Sequence, residues 1–234
     1  MIGGGIIGIS SWIACRCHLC RNALKHNHRV SSFHPRLDIL ASAQKELWPR
    51  LDFTRKAFVL YGGTALALRL GHRVSQDFDF FSFAPLDPRA LQSSTPLLHR
   101  AEILQWEQNT LTLLIAMPSG SVKLSFFGGL TFSRVREPDQ TDDGVLAVAS
   151  LPDLFATKLN AIYQRAEAKD YLDIHALLQS GLRLAEGLQF ARQVYGDHFN
   201  SMLPLEALCY FKEPGLALLP ERIRTDLIKA VKSL

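Results

Sequence analysis

The sequence predicts an α+β protein in which a mixed sheet with flanking helices is followed by an α-helical C-terminal half. Short, alternating apolar runs crowd into residues 57–149, as half-buried strands require. Beyond Ser150 the apolar residues fall at helical spacing to the end of the chain. A third observation sets the scale: 234 residues, 47% hydrophobic and 21% charged, suffice to bury a substantial core. The expected divisions are residues 1–34 as an unstructured basic extension, 35–149 as an α/β domain and 150–234 as a helical domain that completes the site.

Taken in order, residues 37–51 place Leu37, Leu40, Ala41, Leu47 and Trp48 at helical spacing, predicting one or two helices. Residues 57–61 form an apolar run ending in Gly62-Gly63, which reads as a buried strand entering a turn. Residues 65–70 are strong helix formers, and Gly71 is placed to end that helix. Residues 77–83 alternate and are rich in phenylalanine, predicting a second strand, and the prolines at 85 and 88 predict a loop. Further strands are expected at 102–108, 110–117 and 121–127, the last two joined by a Pro-Ser-Gly turn. A polar linker at 136–144 precedes one more strand at 145–149. Ser150 then reads as a helix cap, with Pro152 in the first turn and Asp153 at the third position. The helices that follow are expected to be interrupted at Pro204, Pro214 and Pro220.

Composition narrows the classes. A net charge of +4 suits anionic partners such as nucleotides or RNA but is too mild to specify them. Three of the four cysteines cluster (Cys15, Cys17, Cys20), unlike a disulfide scaffold, which points to a reducing, cytoplasmic setting. No stretch reaches the roughly 18 apolar residues of a membrane span, so no membrane association is expected. Gly3-Gly4-Gly5-Ile6-Ile7-Gly8 fits a dinucleotide fingerprint, yet only Met1 and Ile2 precede it where a strand is needed. The acid expected about 20 positions later is also missing, since Asp38 is the first acid of the chain. Cys15, Cys17, His18 and Cys20 lack the second ligand pair of a zinc site. A flavoprotein reading is therefore disfavoured.

Chemistry concentrates in two places. Residues two apart on a strand share a face, so Asp77 and Asp79 point one way and Phe78 and Phe80 the other. Paired carboxylates repel unless a cation lies between them, and Mg²⁺ suits one or two carboxylates with phosphate and water oxygens. The pair follows a strand–glycine–helix turn at Gly62, Gly63 and Thr64. Such a turn offers free N–H groups and a positive helix end to a phosphate, and Thr64 is placed to cap the helix or bind a phosphate oxygen. An exposed acidic strand face and an ordinary β–turn–α connection are the bland alternatives.

The second place is helical. Lys158 falls within the apolar stripe Leu151, Leu154, Phe155, Leu159 and Ile162, with Arg165 on the same side. On the next helix Asp170 and Asp173 share the inward side of Ile174, Leu177 and Leu178. Opposite charges aimed inward from two helices suggest a shared polar site; the alternative is a buried structural ion pair.

Gly62-Gly63-Thr64-Ala65-Leu66 through Arg69, then Asp77-Phe78-Asp79-Phe80-Phe81, resembles the first signature of the AbiE-type nucleotidyltransferase toxins of the polymerase β-like superfamily. Lys158-Leu159-Asn160-Ala161 through Arg165, then Lys169-Asp170-Tyr171-Leu172-Asp173, resembles the second. The resemblance implies the polymerase β-like nucleotidyltransferase core, an NTP substrate and Mg²⁺ held by Asp77 and Asp79. It also implies catalytic roles for Asp77, Asp79, Lys158 and Asp170, and transfer of a nucleotide to an RNA, tRNA or protein acceptor. Gly62, Gly63, Thr64, Arg69 and Arg165 would contact the nucleotide; Arg73 is a further candidate that reads more readily as a surface arginine. A cognate antitoxin is an implied partner. One departure stands out: such enzymes carry a third carboxylate on a later strand, and Ser125 occupies its natural place. That leaves open whether one metal suffices or Asp170 or another acid serves as base. It also keeps two rival readings alive, a small-molecule (antibiotic-type) nucleotidyltransferase and a degenerate nucleotide- or RNA-binding member.

Overall fold

The computed structural model describes residues 31–234. The glycine fingerprint at residues 3–8 and the cysteine cluster at 15–20 lie outside the described residues. The strands are β1 (Ser32–Phe33), β2 (Val59–Tyr61), β3 (Phe78–Phe81), β4 (Glu102–Glu107), β5 (Thr110–Met117), β6 (Gly120–Phe127), β7 (Asp139–Thr141) and β8 (Ala147–Val148). They form one mixed sheet in the order β1-β7-β8-β2-β3-β6-β5-β4. The helices are α1 (Ser42–Leu47), α2 (Gly62–Leu70), α3 (Pro88–Ser94), α4 (Leu151–Ala161), α5 (Ala168–Gln179), α6 (Leu184–Tyr195), α7 (Met202–Cys209) and α8 (Glu221–Lys232). The expected α+β class holds.

One face of the sheet is sealed by aromatic packing. Phe78, Phe80 and Phe126 are fully buried. Phe80 and Phe126 stack at 5.3 Å, and Phe58 meets Phe126 edge-on at 5.2 Å. Trp48, buried just after α1, reaches Phe78, and its indole N–H donates to Asp143 at 2.7 Å. The other face carries α2, which packs against β2, β3, α4 and α5, while α4 packs in turn on α5 and α6. The helical half therefore continues the same core through Leu154, Phe155, Leu159 and Ile174.

Local chemistry explains the boundaries. Ser150 accepts the N–H of Asp153 at the start of α4, as expected, and Gly71 ends α2 in the left-handed region at φ 64. Three expectations need correcting. The extension does not run to residue 34, because Ser32–Phe33 pairs in parallel with β7. The polar linker holds β7 itself, whose Asp139 and Gln140 pair with β8. Pro204 lies in the first turn of α7, where its missing N–H is harmless, and does not interrupt that helix. No helix among the described residues is long and apolar enough to cross a membrane.

Candidate active site

Alternation along β3 sends Phe78 and Phe80 into the core and leaves Asp79 on the opposite face. There Asp79 and Asp77, just ahead of the strand, line a cleft of about 540 Å³. Registration across the sheet builds the floor: Asp79 lies beside Ser125 on β6, Ser125 beside Thr112 on β5, and Thr112 beside Gln105 on β4. Ser125 thus stands directly next to Asp79, in the place foreseen for a third acid. Burial first, and then the charge of Asp77, push the Asp79 carboxyl above its usual range, while Lys123 and the Ser125 hydroxyl pull against them.

Such a pair suits a hard divalent cation. Among the described residues no group of three or more Asp, Glu, His or Cys side chains converges to hold a metal. Any cation at Asp77 and Asp79 would therefore complete its shell with substrate and water oxygens, as Mg²⁺ does.

The glycine turn meets the acids closely. Gly62 has φ 76, and a Cβ there would lie 3.0 Å from Asp79 Oδ2. Gly62→Ala is expected to cost about 1–3 kcal/mol through backbone strain and to displace the carboxylate; thermal melting and a nucleotide-transfer assay check both effects. At Gly63 a Cβ would lie 2.2 Å from Arg73 Nη2. Glycine at that position is what lets the Arg73 guanidinium lie against the turn.

The opposite wall is a buried charge network. Lys158 Nζ lies 2.6 Å from Asp170 Oδ1 and 2.7 Å from Asp173 Oδ2, with both acids fully buried. Asp173 also accepts from Arg73 Nε at 2.6 Å and Nη2 at 2.9 Å, and pairs with His72 Nε2 at 2.7 Å. Burial alone would raise Asp173, but the bonds from His72 and Arg73 and the charge of Lys158 outweigh it and hold its carboxyl far below the usual range. Arg165 Nε donates to Asp170 Oδ2 at 2.9 Å. The ion pair and the shared polar site foreseen as alternatives are one object, since Lys158, Arg73 and Arg165 all border the cleft.

Two expected nucleotide contacts are displaced. Thr64 is 1% exposed and is the third residue of α2, which starts at Gly62 after Tyr61 as cap. Its hydroxyl is shared between the Asp77 carbonyl oxygen and Ser75 Oγ, so it braces the acid-bearing segment and neither caps the helix nor faces the cleft. Arg69 projects to the sheet edge, donating to Asp139 at 2.6 Å and to the Val148 carbonyl at 3.1 Å, with its guanidinium over Phe33. Arg69→Ala is expected to cost about 1.5–3 kcal/mol of stability while the folded fraction keeps its turnover; denaturant titration beside kinetics separates the two. Arg73, read as the surface arginine, is the one at the cleft.

Sequence reasoning missed Lys123 and Lys169 as cleft cations and His72 as a partner of Asp173. Lys123 had a usable signal. It lies two residues before Ser125 on β6 and therefore shares the face of Asp79.

The family model described as nucleotidyl transferase AbiEii toxin, type IV toxin–antitoxin system, matches residues 47–233. An uncharacterized protein of Aquifex aeolicus (strain VF5) is 32% identical over 159 residues, covering 67% of this chain and 74% of the relative. A crystal structure of a protein from H. pylori superposes with a TM-score of 0.54 at 17% identity over 81% of this chain and 92% of its own. MenT4, a nucleotidyltransferase toxin from Mycobacterium tuberculosis H37Rv, gives a TM-score of 0.57 at 18% identity over 82% of each chain. The two structures support the fold.

Proposed function

The chain belongs to the AbiEii family of nucleotidyl transferase toxins of type IV toxin–antitoxin systems and is a nucleotidyltransferase; from that premise we propose that it transfers a nucleotide from an NTP to a hydroxyl of RNA, tRNA or protein, with Mg²⁺ held by Asp77 and Asp79. The observation that carries this reading is the acid pair set against the glycine turn and faced by the Lys158 network. A cognate antitoxin is the partner that family membership implies.

In the proposed reaction an acceptor oxygen bonds to the α-phosphorus and the bond from that phosphorus to its bridging oxygen breaks. Pyrophosphate leaves with the electron pair, and the hydroxyl proton passes to water in the open cleft. Mg²⁺, when bound, supplies neutralising charge for the phosphate oxygens. The first N–H groups of α2, at Gly62 and Gly63, offer donors and the positive helix end to the triphosphate. Lys158 presents its charge from a fixed position, and a cation placed in advance stabilises charge that develops in the transition state. Asp170 is fully buried with both oxygens accepting from Lys158 and Arg165. That supports a role in orienting these cations over one as general base. Arg165 and Arg73 remain candidate phosphate contacts.

The test is to incubate the protein with each labelled NTP, Mg²⁺ and, separately, total RNA, total protein or aminoglycosides. Label is expected in RNA or protein, and chelation of the metal should remove it. Label confined to aminoglycosides would point to a small-molecule enzyme, and no label in any fraction would count against transfer.

A further inference from the structure

Among the cations bordering the cleft, Lys123 differs in the partner it holds. Arg73, Lys158 and Arg165 are anchored to the buried acids Asp170 and Asp173, and Lys169 sits 2.7 Å from Glu167 on the rim. Lys123 instead pairs with Asp77, its Nζ 2.7 Å from Oδ2. That oxygen belongs to one of the two carboxylates available to a divalent cation, so an incoming metal and the Lys123 ammonium compete for Asp77. Both side chains are more than a third exposed, so the pair is weak and exchangeable.

The local charge count points the same way. A two-metal centre clamps the attacking and leaving oxygens between two divalent cations, and carboxylates must offset that charge. Here Asp77 and Asp79 are accompanied by Ser125 at the adjoining register position, and Lys123 already supplies a positive charge on the same strand face. A second divalent cation would have no acid of its own among the described residues and would sit beside an ammonium.

We propose that the cleft works with a single divalent cation and that Lys123, released from Asp77 when that cation binds, supplies the second positive charge by contacting the triphosphate. This rests on the assignment of Asp77 and Asp79 to the metal. Lys123 is then a catalytic residue, and Ser125 marks a site whose second cation is a side chain.

The test counts Mn²⁺, a paramagnetic stand-in for Mg²⁺, by electron paramagnetic resonance on the full chain, with and without an α,β-methylene NTP analogue. One Mn²⁺ per ternary complex is expected; two would overturn the proposal. Lys123→Met should tighten Mn²⁺ binding without nucleotide by about two- to fivefold, the strength of an exposed ion pair. The same variant should weaken binding of the analogue about tenfold or more, as loss of a charged hydrogen bond does. Lys123→Arg should restore part of the analogue affinity. Unchanged analogue affinity in Lys123→Met, or weaker Mn²⁺ binding, would overturn the proposal. Asp79→Asn should lose Mn²⁺ altogether; if it keeps the ion, the acid-pair assignment itself fails, a result separate from any failure at Lys123.

Discussion

Asp79→Ala is expected to lower nucleotide transfer by more than about 100-fold, because a divalent cation contributes several kcal/mol to charge stabilisation. The protein should nevertheless stay folded. Asp79 is flanked by Ser125 and the glycine turn, and its carboxyl is pushed upward by burial and by Asp77. A folded-state pKa raised in this way means that its stability contribution is present below the ordinary carboxylate range and is lost as pH rises through the shifted value. At neutral pH the variant should therefore melt no lower than the wild type, and any gain should grow as pH rises above the usual aspartate value of about 3.9. Mg²⁺ should raise the melting temperature of the wild type and leave that of the variant unmoved. Full transfer by a folded Asp79→Ala protein would remove the mechanism.

Asp173→Ala should do the reverse and strike the fold. The residue is fully buried and binds Lys158, Arg73 and His72 at once. Breaking a buried pair by deleting one partner costs about 3–5 kcal/mol, because the other charge is left without compensation. For a chain of this size that corresponds to a fall of about 10 °C in Tm. The carboxyl is held below its usual range, so its contribution is present above the ordinary aspartate value and lost as pH falls through the lowered one. The gap between the wild type and Asp173→Asn should accordingly narrow on acidification below about pH 4. A constant gap from neutral pH into strong acid would show that the charge of Asp173 is not what stabilises the network.

What was legible in the sequence followed from periodicity. The alternation that hides Phe78 and Phe80 also aims Asp79, and the stripe that makes Lys158 anomalous also aims it at Asp170. The long hairpin of β5 and β6 announced itself by pattern and turn. The illegible parts depend on partners far away in the chain. Ser32–Phe33 and Asp139–Thr141 are too short to show a pattern, and they form through pairing at the sheet edge, β1 with β7 and β7 with β8. Arg69 and Arg73 are indistinguishable by type, and an acid 70 residues away claims the first while one 100 residues away claims the second. Thr64 misled because α2 starts three residues earlier than its helix formers suggest, which turns the hydroxyl inward. Lys123 was legible only through its place two residues before Ser125, since its meeting with Asp77 depends on the register with β3.

Asp173 carries one more consequence. Its carboxylate ties Arg73, from the segment after α2, to Lys158, from α4, so the charged wall of the cleft is assembled from both sides of Ser150. A fragment stopping before Ser150 would keep both acids of the cleft yet leave Arg73 and His72 without their anchor. Recombination between relatives at that boundary would separate Arg73 from Lys158 and Asp173.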